Sequence, residues 1–482
     1  MRKLKKQGFA ISTIIYCILI LAILIMGLLF STMSFSKKTT DDFVYSVEKN
    51  LNTFANETYR EIGEQNRVYT TNIKNLNDYY NSLPNGNEIK DYLNEITAIG
   101  VYDLNIEEEN KIVNKYFLRF KKAEFDLSYE ENVDKVTGYI VDPADSGRKM
   151  LLIVAKEKIK TPDDCQNMFS FFKGNGIDTN HFDTSNTTIM TGMFQNCTGL
   201  EGIDLQYFDF TNVTNMDHFL EGCSTITNIK GLQNKSFSNL TSGMKMFSGC
   251  SSLTTIDISG FNAPALSNVE HMFQNCTSVE SINLNNIILN NMEKMFGMFN
   301  NCENLVSIDV SYFYTSKVTD MHDLFAGCKR LTTIKGIDNW QFTYDQKIDF
   351  TSMFNSCQQL KTINLVNFTC AASSIDHMFR KCYSLEEVNI GNIDYSSATK
   401  MEYIFNNCSK LKTIYLGEYK FDTNVTKTYN NMFNNCNELR VININASNTS
   451  NFINFNISYF LNNRLNECGI NTSDVSINAS KL

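Results

Sequence analysis

From Val318 the apolar residues fall at Val318, Met321, Leu324, Phe325 and Cys328, with polar residues between them. Intervals of three or four place one apolar stripe on a helix, so this segment predicts an amphipathic helix. Beyond each such segment come runs like Leu305, Ile308 and Val310, whose last pair alternates as a short strand does. The same pattern is written ten times between Met193 and Ile444, marked by Cys197, Cys223, Cys250, Cys276, Cys302, Cys328, Cys357, Cys382, Cys408 and Cys436. Most of these cysteines are 26 residues apart, with steps of 25 to 29 elsewhere, and a phenylalanine stands three positions earlier in every copy except the one with Leu220. A fixed period in this range is the mark of a solenoid, whose units cannot bury an apolar face alone. The pattern predicts an α/β fold: a leucine-rich-repeat solenoid of about ten 26-residue helix–strand units over residues 161–445.

The chain before the repeats divides by hydropathy. Residues 1–8 form a basic tail with Arg2, Lys3, Lys5 and Lys6, and residues 9–36 are uncharged and largely aliphatic. As a helix that stretch exceeds the ~30 Å hydrocarbon core, and the basic residues before it place the N-terminus inside. The expectation is an uncleaved single-span anchor with everything after Lys38 outside; a cleaved secretory signal is the alternative. Residues 37–83 are predicted to continue as a helical stalk, and residues 84–160 to form a small α+β domain with an antiparallel meander. Its strands are expected at 97–104, 112–127, 136–142 and 148–158, the last two joined by a turn at Pro143 to Gly147. Cys165 and the residues after it read as a worn first copy, and residues 446–482, with Cys468, as a C-terminal cap.

Two stretches resemble known families. "KKQGFAISTI" resembles a type IV prepilin leader, with cleavage between Gly8 and Phe9, although Thr13 stands where pilins usually carry glutamate. "FDTSNTTIMTGMFQNCTGLEGIDL", Phe182 to Leu205, is similar to the unit of the BspA-like leucine-rich-repeat surface proteins of bacteria. That resemblance covers residues 163 to 450 and implies a surface-exposed protein engaged in adhesion, with no catalytic residues to transfer. The prepilin resemblance implies a second reading: a structural subunit or tip component of a surface filament, self-associating through the N-terminal helix.

The net charge is −9, and because the tail is basic the remainder is more acidic still, which argues against a nucleic-acid partner. The 14 cysteines invite a disulfide framework, but those of the repeats follow Met-Phe on the apolar stripe, where a thiol serves as a small buried hydrophobe. His218, His271, His322 and His377 are spread over alternate repeats, too far apart for one metal, and no catalytic motif is present. We therefore expect neither an enzyme nor a bound cofactor or metal.

The remaining candidate is the strand face. Between the apolar residues of L-x-x-I-x-L one side chain points outward. Through the copies that position holds Asp204, Lys230, Asp257, Asn283, Asp309, Lys335, Asn364, Asn389, Tyr415 and Asn443. Such a polar column is what solenoids use to bind extended partners. The expected function is a cell-surface binding or adhesion protein, anchored in the membrane, that presents this column to an extracellular protein or glycan.

Overall fold

In the computed structural model the described residues are 70–103, 106–129, 135–143, 146–156, 158–343, 345–390, 392–395, 398, 400–418, 428–445 and 457–480. All lie in one compact unit, Val68–Leu482. The expected anchor, the start of the stalk, Gly8 and Phe9 lie outside the described residues. Among the described residues no helix is long and apolar enough to cross a membrane.

Residues 70–83 do not continue a stalk helix. They form strand β1 (Thr70–Asn72) and a short helix α1 (Leu76–Ser82), whose N-terminus is capped by the Asn75 side chain. The amide of Asn75 also donates to the Gln166 carbonyl at 3.0 Å and so ties this turn to the first repeat. Next come α2 (Glu88–Asn94), β2 (Ile96–Asp103), α3 (Glu107–Ile112), β3 (Lys121–Asp126), β4 (Thr137–Val141), β5 (Lys149–Ala155), β6 (Lys158–Lys160) and β7 (Gly176–Ile177). The expected hairpin is present as antiparallel β4–β5, but of the strand expected at 112–127, residues 112–120 are helical and only Lys121–Asp126 form a strand.

The sheet order is β3-β4-β5-β2-β7, and β2 runs parallel to both β5 and β7. β2 is therefore not part of an antiparallel meander. It is the strand on which the solenoid starts, because β7 belongs to the first repeat. Gly174 makes that approach possible, since a Cβ there would lie 2.1 Å from the Thr97 carbonyl oxygen. One hydrophobic core runs from Ile73 through every repeat to Val475, and a second, small cluster around Val113, Val141 and Leu152 covers the other face of the sheet.

The repeats contain no α-helix among the described residues between 161 and 445. In place of the predicted helix each unit has a run of consecutive turns, and the unit of Cys302 shows why. The amides of Met298, Asn300 and Cys302 each donate to the carbonyl three residues back, at 3.0 to 3.3 Å. Those of Gly297, Phe299 and Asn301 donate across to His322, Leu324 and Ala326 of the next unit, at 2.7 to 3.0 Å. Alternate N–H groups thus close a turn or bind the neighbour, which satisfies the backbone without a helix.

This geometry needs left-handed backbone at two places per unit, five residues and one residue before the cysteine. Gly297 (φ 58°) and Asn301 (φ 58°) are one such pair, His271 (φ 54°) and Asn275 (φ 59°) another. For residues other than glycine that conformation costs roughly 1–2 kcal/mol each, offset here by the inter-unit bonds. Each turn advances three residues, so the apolar side chains still return to one face. The stripe is correct, and the helix is replaced by a ladder of turns.

The phenylalanines three before each cysteine stack from unit to unit, with Phe247, Phe273, Phe299, Phe325, Phe354, Phe379, Phe405 and Phe433 at centroid distances of 5.3 to 5.9 Å. The ladder cysteines are buried and free, and each thiol donates to the phenylalanine-slot carbonyl of the preceding unit at 3.0 to 3.3 Å. In the first unit Phe169 stacks on Phe194, so Phe172, and not Cys165, occupies the cysteine slot. At the far end helix α4 (Ile457–Glu467) packs on the last repeat, and Cys468 turns its thiol to the Phe433 backbone. The strand Ser476–Ser480 then pairs in parallel with Val441–Asn445 and completes the cap.

Candidate functional site: the exposed strand face

Each unit contributes a short strand, three residues long in most copies, in which an isoleucine or valine points toward the core and both its neighbours point out. Parallel pairing keeps register: Ile203 faces Ile229, Ile256 faces Ile282 and Ile308 faces Ile334. Toward the C-terminus Ile363, Val388, Ile414, Ile442 and Ile477 form one continuous row. In-register pairing aligns the flanking residues in two columns.

One column is the polar series read from the sequence. It sets Asp204 beside Lys230, Asp257 beside Asn283, and Asp309 beside Lys335. Asn364, Asn389, Tyr415, Asn443 and Asn478 follow in a single row. These side chains also have a local task. The Oδ1 atoms of Asp204, Asp257, Asn283, Asp309 and Asn364 each accept the amide two residues ahead, at 2.9 to 3.2 Å, and turn the chain out of the strand. One oxygen of each is thus committed to the fold. Asp309 uses its second oxygen on Lys335 at 2.6 Å, and the Asn478 amide donates to Asn443 at 3.0 Å.

Electrostatics follow this geometry. Partial burial alone raises the Asp309 pKa, but the Lys335 ammonium and the Ser311 donors outweigh it and hold the carboxyl below its ordinary value. Asp257 is lowered in the same manner, with burial opposed by the Ser259 donors and the Asn283 side chain. Both remain ionised at neutral pH; the Lys335 ammonium offsets Asp309, and Asp257 keeps a negative charge on the face.

The second outward column was missed by sequence reasoning. It carries Thr255, Ser281, Ser307, Thr333 and Thr362, all exposed, two residues before the polar position. The signal was available: in Thr-Ile-Asp and Ser-Ile-Asn both neighbours of the inward isoleucine share the outer face. Together the columns form an array of hydroxyl, carboxamide and carboxylate groups, repeating about every 4.8 Å from strand to strand.

Also missed was a buried polar group where the small domain meets the first repeat. His181 Nε2 lies 3.1 Å from Glu109 Oε1 and its Nδ1 lies 3.7 Å from Asp178 Oδ2. The surface histidines do not form a metal cluster: His271 makes a T-shaped contact with the Phe296 ring at 4.5 Å, and His322 stacks on the same ring at 4.3 Å. Among the described residues no group of histidine, cysteine or acidic side chains is placed to hold a metal ion. The thiols are poor nucleophiles, since burial pushes those of Cys276 and Cys328 up to about 12.

Stacked strand-bearing units on one continuous core, with a polar outer face, define a repeat protein of leucine-rich-repeat type. The chain belongs to the family described as "Mycoplasma protein of unknown function, DUF285", whose profile matches residues 163–287, 267–373, 290–419 and 373–477. Comparison with curated proteins gives no match. Among solved structures the chain is similar to the one titled "Crystal structure of TLR13-ssRNA13 complex", at 14% identity and a TM-score of 0.20. That similarity covers 61% of this chain and 52% of the other, so the chain spans about half the length of the structure it matches.

Proposed function

We propose that the protein is a surface-displayed binding protein, akin to the BspA-like adhesins, which offers the strand face of its solenoid to an extracellular protein or glycan. The observation that carries this reading is the in-register array, which exposes two polar columns along successive units. On the strand face these polar side chains repeat from unit to unit in fixed register. Ionised Asp257 and the net charge of −9 favour a basic or hydroxyl-rich partner over an acidic polymer. The basic residues before the apolar stretch at residues 9–36 support an N-terminus inside the cell and the repeats outside. The role is binding without catalysis, and no cofactor enters it.

The test replaces the hydroxyl column and spares the turn-forming residues. Thr255→Lys, Ser281→Lys, Ser307→Lys and Thr333→Lys together change an exposed face without touching the core. Full-length protein carrying the four changes is compared with the parent for retention on an array of extracellular-matrix proteins and glycans. A folded variant that loses the parent's binding supports the reading, whereas unchanged binding removes the strand face from consideration. Protease treatment of intact cells tests the topology: the repeats are expected to be cleaved, and full protection contradicts it.

A further inference from the structure

The step from Cys328 to Cys357 is 29 residues, the longest in the ladder. The surplus is taken up by a 3-10 turn at Ile337–Asn339, entered through Gly336 at φ 80°. A Cβ on Gly336 would lie 2.1 Å from the Ser311 hydroxyl oxygen, so glycine permits the turn to close against the preceding unit. Beside the turn opens a cleft of about 570 Å³. Its polar wall is made by Asp338, Asn339, Gln341, Asn367 and Thr369, all exposed. The loop is held in shape by its own bonds: the Asn367 amide donates to the Asp338 carbonyl at 2.7 Å, and the Thr315 hydroxyl to that of Gln341 at 2.9 Å.

The floor is Trp340 and Phe342. Trp340 is 1% exposed, its ring stacked between Phe313 at 6.3 Å and Phe368 at 6.0 Å and its indole N–H bound to the Val310 carbonyl. Because Phe313 stacks on Trp340, its neighbours Tyr312 and Tyr314 lie one unit away from Asn339 and Gln341. Both are open to solvent, Tyr312 at 37% and Tyr314 at 60%. They do not line the cleft itself; they present exposed amphipathic rings on the unit next to it, a residue type enriched at binding surfaces.

We infer that this cleft binds a neutral glycan. Its lining carries no cation, so an anionic ligand has no partner, and a single carboxylate, Asp338, gives little hold on a polycation. The buried floor offers too little apolar area for a hydrophobic ligand. What remains is three carboxamides, a hydroxyl and a carboxylate, a set that supplies both donors and acceptors to sugar hydroxyls. The tyrosine rings supply flat surfaces for the C–H faces of a pyranose, and their hydroxyls a polar edge. The cleft shares no lining residue with the two strand columns, although Tyr312 lies near Lys335 of the polar column, so the two surfaces are distinguished by separate substitutions.

Full-length protein is applied to an array of neutral and anionic glycans, and affinities for those retained are measured by calorimetry. Neutral glycans are expected to be retained, with affinity weakened about tenfold or more by Asn339→Ala with Gln341→Ala, and by Tyr314→Ala. Thr369→Val is a milder check, and the intrinsic fluorescence of Trp340 verifies that each variant keeps the cleft folded. The four strand-face lysine changes are expected to leave this binding unaltered. The inference is overturned if the folded protein retains no glycan, if only anionic glycans bind, or if the cleft variants bind as tightly as the parent.

Discussion

Phe299→Ala removes a ring from the middle of the phenylalanine column. That ring is 0% exposed and lies between Phe273 at 5.6 Å and Phe325 at 5.3 Å. A buried Phe→Ala change costs about 3–5 kcal/mol, with the size set by how far the walls collapse. Here they collapse little, because the Phe299 amide is bound to the Leu324 carbonyl at 3.0 Å and its carbonyl accepts the Cys302 amide and the Cys328 thiol, both at 3.1 Å. Two stacked pairs are lost together, so the expected cost is about 4–5 kcal/mol, at the top of that range. Repeats touch only their neighbours, and the lesion is expected to split unfolding into two steps. Urea denaturation followed in parallel by far-UV circular dichroism and by the fluorescence of Trp340, the sole tryptophan, reads both effects. Phe299→Leu is the control, since Leu220 fills this slot naturally in the Cys223 unit, and it is expected to cost under about 1.5 kcal/mol. A Phe299→Ala cost below about 1 kcal/mol refutes the packing of the column.

Two further outcomes follow from the polar groups. Burial lowers the pKa of His181, but the nearby Asp178 carboxylate and the hydrogen bond to Glu109 outweigh it and raise the pKa from 6.5 to about 10. A histidine pKa raised on folding contributes stability that is complete below about 6.5 and gone above about 10. Urea unfolding free energy is therefore expected to fall across that window, with the fall reduced in His181→Gln; an equal fall in both proteins rejects this role. Replacing Asp257, Asn283, Asp309 and Asn364 together by alanine removes four side-chain-to-backbone bonds, each worth about 0.5–1.5 kcal/mol. The expected loss is about 2–6 kcal/mol in chemical denaturation, and a loss under about 0.5 kcal/mol shows that these turns form without them.

The sequence made the repeat legible because cysteine, phenylalanine and the L-x-x-I-x-L run recur at fixed places. It did not distinguish a helix from a ladder of turns. Val318, Met321, Leu324 and Cys328 step by three or four, and over one unit a three-residue turn and a 3.6-residue helix bury the same positions. The distinguishing signal lay just before the cysteine, where Asn196, Gly222, Gly249, Asn275, Asn301 and Gly327 recur. Asparagine and glycine are the residues that tolerate left-handed backbone, and a helix interior disfavours glycine. At the other left-handed position His218, Lys245, His377 and Tyr403 conceal the same conformation behind ordinary side chains. The polar column was legible from alternation, but its bonds to the backbone two residues ahead were not. The pairing of β2 with β7 depends on a contact between segments 78 residues apart in the Ala98–Gly176 register, which no local pattern encodes.

The most direct test of the architecture counts reactive thiols in the full-length protein. The account places Cys197 through Cys436 in one buried column, each donating to the carbonyl of the preceding unit, with burial raising the thiol pKa at Cys250, Cys276, Cys302 and Cys328. Alkylation with iodoacetamide, read by peptide mass spectrometry, is expected to leave these ten cysteines unlabelled in the native protein at neutral pH. In denaturant they are expected to react promptly with no reductant added. Rapid native labelling along the column, or labelling in denaturant that requires prior reduction, contradicts the turn-and-thiol ladder on which the exposed strand face is built.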